Sequence, residues 1–196
     1  MEHRTAILDT SGTATDLPAP EVPDDTLTDL LGRVSRTFAL SNRFLPQPLR
    51  RAMTVSYLLF RVSDYLEDNH VMSFERKVEL LNLWERVLSG RGGEEQLRCE
   101  LENLEDDDPE AEVARRFPEL TQSLAALGEA SDTAVRRRVC ETTRGMARRL
   151  MQGPVVETEA DLDQYMHDVA GIVGYLITEI FSLLDHRLAR RRSAMM

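Results

Sequence analysis

Apolar residues recur at helical spacing along nearly the whole chain, separated by proline, glycine and acidic punctuation. From Thr26 towards Leu40, residues Leu27, Leu30, Leu31 and Val34 form one inward stripe, with Asp24 or Asp25 placed to cap it. Leu45-Pro46-Gln47-Pro48 breaks that pattern, and a second helix is predicted from about Pro48 to Asp68 or Asn69. Ser73 then caps a third, in which Leu80, Leu81, Leu83, Trp84, Val87 and Leu88 supply core before Gly90, Gly92 and Gly93 end it. That glycine cluster follows a helix and lacks phosphate-loop spacing, so it reads as a turn. Glu94 to Glu112 is acidic and reads as a solvated connection. Periodicity returns from Glu110 to Leu127 with a break at Pro118, and again from Ser131 to Gln152. Thr158-Glu-Ala-Asp161 has capping-box form and opens a last helix running to about His186. No segment alternates with a period of two, so the predicted fold is all-α.

One stretch departs from ordinary amphipathicity. In Tyr57-Leu-Leu-Phe-Arg61-Val-Ser-Asp64-Tyr-Leu-Glu-Asp68, positions 57, 61, 64 and 68 fall within about 60° of one another at 100° per residue. Leu58, Leu59, Val62 and Leu66 fill the other faces. A solvated helix carries a broad polar face, whereas this stripe is narrow and flanked by hydrocarbon. Burying two like charges without compensation costs several kcal/mol. A divalent cation with a bound anion would compensate them; pairing with Arg61 or another arginine is the plainer alternative.

Composition narrows the classes. The chain has 196 residues, 42% of them hydrophobic and 30% charged, as in a soluble globular domain. Residues 1–23, with Pro18, Pro20 and Pro23 and no periodicity, read as a flexible leader, and 24–196 as one helical domain. A formal net charge of −10 argues against nucleic acid as partner. Cys99 and Cys140 have neither CxxC spacing nor a histidine partner, which fits reduced thiols. No uninterrupted apolar run reaches the roughly 18 residues of a membrane span, and the N-terminus is not a signal peptide. The expected location is cytoplasmic, with at most peripheral membrane contact through the basic end at Arg187, Arg190, Arg191 and Arg192.

The last helix carries Tyr165-Met-His-Asp-Val169-Ala-Gly171-Ile-Val-Gly174. Tyr165, Val169, Ile172 and Leu176 share one face, while Gly171, Gly174 and Thr178 share another. Interior glycines cost roughly 1 kcal/mol each relative to alanine, so close approach of a second helix or of a ligand is expected there.

Three separated segments, in order, resemble the squalene/phytoene synthase family of isoprenoid synthases. Val34-Ser35-Arg36-Thr37-Phe38 is similar to the family's Ser-Arg-Ser/Thr-Phe segment. Tyr57-x-x-x-Arg61-x-x-Asp64-x-x-x-Asp68 is similar to its first aspartate-rich motif. Tyr165-x-His-x-Val169-Ala170-Gly171-x-Val-Gly174 is similar to its Val-Ala-Gly helix, and Leu176-Ile-Thr-Glu-Ile-Phe181 looks squalene-type. Arg144-Gly-Met146 resembles a further segment less specifically.

The resemblance covers roughly residues 26 to 184. It implies an isoprenoid synthase helical bundle and condensation of two prenyl diphosphates, of farnesyl length, head to head. Asp64 and Asp68 would bind Mg²⁺ that holds a diphosphate, Arg61 would neutralise phosphate charge, and Tyr57 and Tyr165 would hydrogen-bond to it. Ser35, Arg36, Phe38, Val169, Ala170, Gly171 and Gly174 would contact substrate. NADPH would enter only with a reductive second step. The family's second aspartate-rich motif has no counterpart before Met196, and Asp185 is a lone aspartate. The resemblance therefore implies a bundle incomplete on its C-terminal side, needing a homologous subunit or further sequence for catalysis. The alternative is a non-catalytic subunit that binds a prenyl diphosphate or stabilises a partner.

Overall fold

A computed structural model describes residues 22–104, 106–153 and 156–184, and every regular element among them is helical. All but two residues of the predicted leader lie outside this range, as does the end of the last helix.

The first predicted helix is two. Helix α1 (Asp24–Val34) buries Leu27, Leu30 and Leu31, and α2 (Arg36–Asn42) follows after Ser35, whose backbone is extended at φ −157°, ψ 94°. The Ser35 hydroxyl accepts the Phe38 N–H at 3.3 Å, so one residue ends a helix and caps the next. The N-cap of α1 is Pro23 and not an aspartate. Asp24 and Asp25 occupy the first turn, where the macrodipole favours negative charge.

Helix α3 (Leu49–Asp68) is the central element, with Val55, Leu58, Leu59, Val62 and Leu66 fully buried. Helix α4 (Phe74–Leu88) starts on Ser73, whose hydroxyl accepts the Arg76 N–H at 3.3 Å. The expected solvated connection is overturned over its first half. Residues Glu94–Glu102 form helix α5, because Leu97 and Leu101, one turn apart, bury completely against α4 and the next helix. Asp108 caps α6 (Pro109–Arg115) by accepting the Glu110 N–H at 2.9 Å. The break before α7 (Phe117–Ala125) falls at Arg116, which leaves Pro118 in the first turn, where its missing N–H has no role.

Helix α8 (Glu129–Gln152) lies between α4 and α3 and ends at Gly153, whose φ of +95° suits glycine. After a capping box on Thr158, α9 (Glu159–Met166) runs through a π-helical turn at His167–Gly171 into α10 (Ile172–Leu184).

A buried polar relay joins three helices. The Trp84 indole N–H donates to Ser63 Oγ at 3.1 Å, Ser63 Oγ lies 2.8 Å from Thr143 Oγ1, and Thr143 donates to the Val139 carbonyl at 2.7 Å. Because the Thr143 proton is already committed, Ser63 must be the donor between the two hydroxyls. Every member is satisfied, which fixes how α3 is rotated relative to α4 and α8.

The π turn is where α8 comes closest to the last helix. A Cβ on Gly145 would lie 2.6 Å from both Cβ and Cγ of Asp168, while one on Gly174 would meet nothing within 4 Å. The glycine that permits close approach is therefore Gly145, not Gly171 or Gly174 as the last helix alone suggested. Asp168 is buried and accepts hydrogen bonds from Arg148 at 2.6 Å and Gln164 at 3.0 Å, and its carbonyl accepts the Thr142 hydroxyl at 2.8 Å. Gly145→Ala is expected to lower stability by about 1–2 kcal/mol. Roughly 2–3 kcal/mol of overpacking is offset by about 1 kcal/mol of helix propensity. Urea unfolding of the two proteins checks this, and a variant as stable as the parent would show that the contact yields freely.

The stretch Glu159–Leu184 is one helix of 26 residues containing a window of mean hydropathy 1.3, long and apolar enough by length and composition to cross a membrane. Asp168 and Glu179 punctuate it, so no uninterrupted apolar run marks it in the sequence. Both are engaged within the fold, Glu179 by Arg137 at 2.6 Å and by Arg138 at 3.4 Å.

Candidate functional site

Tyr57, Arg61 and Asp64 of the α3 polar stripe line a cavity of about 190 Å³, while Asp68 lies outside its lining. The α3 wall consists of Met53, Ser56, Tyr57, Phe60, Arg61 and Asp64; Phe38 closes one side from α2, and Val169, Val173, Leu176 and Ile177 close the other. Tyr57 stacks on Phe38 with ring centroids 4.4 Å apart and planes at 18°. The cap at Ser35 is what turns α2 so that Phe38 reaches this ring. The cavity is thus hydrocarbon over most of its length and charged at one end.

At that end Arg61 is held between two carboxylates. Its Nη1 lies 3.0 Å from Asp64 Oδ2, and its Nη2 pairs with Glu110 of α6. The remaining Nε–H is buried without a partner. Burial raises the Asp64 carboxyl above its ordinary value; Arg61 opposes the shift and the Asp68 charge adds to it. Asp68 is exposed, one turn further on, beside an acidic hollow shared with Asp106, Asp108 and Glu110.

Two members of this rim were not among the candidates from sequence. By sequence Glu110 only opens a helix, and folding alone brings it to Arg61. Glu67 sits on the same turn as Asp64 and Asp68, and burial, then Asp68, then Asp64 push its carboxyl up to about 7. Its position three residues after Asp64 and next to Asp68 was the available signal.

That shift sets a pH dependence. Glu67 ionises near its ordinary 4.5 when unfolded and near 7 when folded, so between these values the native state holds the extra proton. Its contribution favours folding below pH 4.5 and is lost as pH rises through 7. Glu67→Gln should flatten the fall in urea midpoint between pH 5 and 8 in metal-free buffer. An unchanged slope would assign that fall to other groups.

Tyr165 arrives from about 100 residues away in sequence, by the numbering of α3 and α9. Its phenol is raised by burial and then by Glu67, Asp68 and Asp64, which places it within the field of that acidic turn. The remaining candidates separate. Val169 lines the cavity, whereas Ala170 and Gly174 are exposed and Gly171 packs beside His167. Ser35 is a helix cap, and Arg36 is exposed on a groove between α1 and α2. Arg144 pairs with the buried Glu85 at 3.0 Å, which also binds Arg91.

Among the described residues no three carboxylate, imidazole or thiol groups converge as a ready-made metal cage. Asp64 and Asp68 are hard oxygen donors on one helix face. That donor set fits Mg²⁺, which takes one or two carboxylates and completes its octahedron with water and phosphate oxygens.

Comparison with known proteins gives the same direction from independent information. The squalene/phytoene synthase family model matches residues 31–196. The human squalene synthase is 30% identical over 152 residues, covering 78% of this chain and 34% of that protein. The lycopaoctaene synthase of Botryococcus braunii is 28% identical over 153 residues, covering 78% of this chain and 32% of its own length. A solved squalene synthase, TcSQS in complex with BPH1237, superposes with a TM-score of 0.69 at 28% identity, covering 84% of this chain and 47% of that one. The chain spans about a third of the length of the curated relatives it matches. The match of the family model from residue 31 to residue 196, over a helical cavity with Arg61 and Asp64 at its charged end, establishes that this chain belongs to the squalene/phytoene synthase family.

Proposed function

We propose that this chain takes part in joining two prenyl diphosphates, of farnesyl length, head to head, and provides one wall of the site. The observation that carries this reading is the cavity itself, hydrocarbon along its length and charged at one end. From Met53 to Asp64 the α3 wall advances about 16 Å at 1.5 Å per residue. An isoprenyl unit adds four chain carbons, roughly 5 Å at C–C bond lengths of about 1.5 Å, so three units span the wall.

Asp64 and Asp68 are the residues that would hold Mg²⁺, whose chemistry here is to neutralise the diphosphate as a leaving group. Arg61 stabilises the negative charge that develops on the departing oxygen, and the Tyr57 and Tyr165 phenols donate hydrogen bonds to it. The walls built by Phe38, Phe60, Val169 and Leu176 exclude water from the allylic cation left behind. The facing acidic wall would come from another polypeptide segment. Tyr175, Ile177 and Leu183 on α10 and Leu162 and Met166 on α9 are exposed hydrocarbon suited to its docking.

A second reading, a subunit that binds prenyl diphosphate without turning it over, is favoured by one feature. Both terminal nitrogens of Arg61 are occupied by Asp64 and Glu110, so phosphate must displace a carboxylate to reach them. Release of pyrophosphate from farnesyl diphosphate and Mg²⁺, by the chain alone and with any homologue encoded beside it, separates the two. Release in either mixture supports catalysis. Binding of a non-ionisable farnesyl thiodiphosphate with no release in any mixture selects the second reading, and no binding at all removes both.

A further inference from the structure

The apolar length of the cavity contains one polar side chain that neither the fold nor the proposed chemistry uses. Ser56 is 3% exposed, lines the cavity, and its Oγ has no hydrogen-bond partner. Serine and threonine hydroxyls within helices usually settle on the carbonyl four residues back. Ser41, Thr54, Ser89, Thr143, Thr178 and Ser182 all do so in this molecule. Ser56 and the buried Ser123 do not, although their helices offer the same acceptor, and of these two only Ser56 lines the cavity.

A buried hydroxyl left unpaired is costly, so the surroundings that would receive it matter. Ser56 lies two turns before Asp64, about 12 Å along the helix, and apart from Tyr57, Arg61 and Asp64 every other residue lining the cavity is apolar. A water molecule held beside Ser56 would need two to four polar partners, and the apolar side chains of the lining supply none. A saturated hydrocarbon likewise offers nothing to an O–H group. The double bonds of a prenyl chain differ, because their electron-rich faces accept weak hydrogen bonds.

We propose that Ser56 reads the unsaturation of the bound chain, its hydroxyl donating to the π face of a distal prenyl double bond about 12 Å from the carboxylate rim. This rests on the prenyl-diphosphate reading above and deepens it, since it names which feature of the hydrocarbon the site recognises. Ser56 acts on binding alone, and no bond forms or breaks at it. It makes the site selective for a polyunsaturated isoprenoid over a saturated chain of equal length.

The test compares farnesyl thiodiphosphate with its fully hydrogenated analogue by titration calorimetry in Mg²⁺, using the full chain. The parent protein should bind the unsaturated ligand about two- to five-fold more tightly, as expected of one weak hydrogen bond. In Ser56→Ala the ratio should fall to about one, with affinity for the saturated ligand equal or improved. Ser56→Leu, which projects bulk into the cavity, should weaken both ligands by more than tenfold. A preference that persists unchanged in Ser56→Ala, or Ser56→Leu binding both ligands normally, overturns the role of Ser56 and leaves the prenyl-diphosphate reading intact. Failure of the parent protein to bind either ligand overturns both.

Discussion

Asp64→Ala and Asp68→Ala are each expected to lower Mg²⁺-dependent pyrophosphate release from farnesyl diphosphate by about 10²–10³-fold, the scale on which preorganised charge at a developing anion acts. The measurement uses the mixture that shows release with the parent chain. The two sites differ in what else they do. Asp64 is half-buried and tied to Arg61, so its removal leaves that guanidinium to Glu110 alone. Asp68 is exposed, with no ion pair among the described residues, and its charge repels Glu67 and Asp64, so its substitution should leave the urea midpoint equal or slightly raised while activity falls. Asp64→Asn separates charge from shape, because it keeps an acceptor for Arg61 and loses the anionic ligand. Activity retained in Asp64→Asn and lost in Asp64→Ala would make Asp64 a support for Arg61 and not a metal ligand. Retention in both alanine variants would falsify the role of this turn in the reaction.

Trp84→Ala should destabilise the fold by about 3–5 kcal/mol, the usual cost of removing a fully buried large aromatic. For a chain of this size that corresponds to a fall in Tm of roughly 6–20 °C. Trp84 is completely buried, meets Phe117 edge to face at 5.8 Å, and donates its indole N–H into the relay through Ser63 and Thr143. Trp84→Phe keeps most of the volume and loses the donor, so it should cost less, about 1–3 kcal/mol. Thermal unfolding followed by circular dichroism ranks the three proteins. If the phenylalanine variant is as unstable as the alanine one, the hydrogen bond and not the packing governs the junction. Ser63 is adjacent to Asp64, so loosening this relay should also weaken ligand binding at the rim.

Much of the site was visible along the chain because it rests on short-range order. Tyr57, Arg61, Asp64 and Asp68 sit on one side of one helix, and helical periodicity alone places them together. The Ser73 cap, the capping box at Thr158 and the glycine turn after α4 were legible for the same reason. Errors arose where a local signal was weak or had two uses. Ser35 looked like part of a continuous helix, yet its hydroxyl serves better as a cap between two. Residues 94–102 looked too acidic to pack, yet two leucines one turn apart were enough to hold a helix.

The contacts that give the rim its character are long-range, and no spacing rule reaches them. Glu110 meets Arg61 only because α6 packs across α3, and Gly145 admits Asp168 only because α8 and the π turn share one crossing. By itself the sequence determined the helices, the polar stripe and the family pattern, since each depends on periodicity and spacing within a few turns. Tertiary structure alone decided which side chains close the cavity, that Arg61 is already shared by two carboxylates, and that Ser56 faces hydrocarbon without a partner. Those outcomes depend on how helices are rotated against one another, and that rotation is set by packing among residues far apart in the chain.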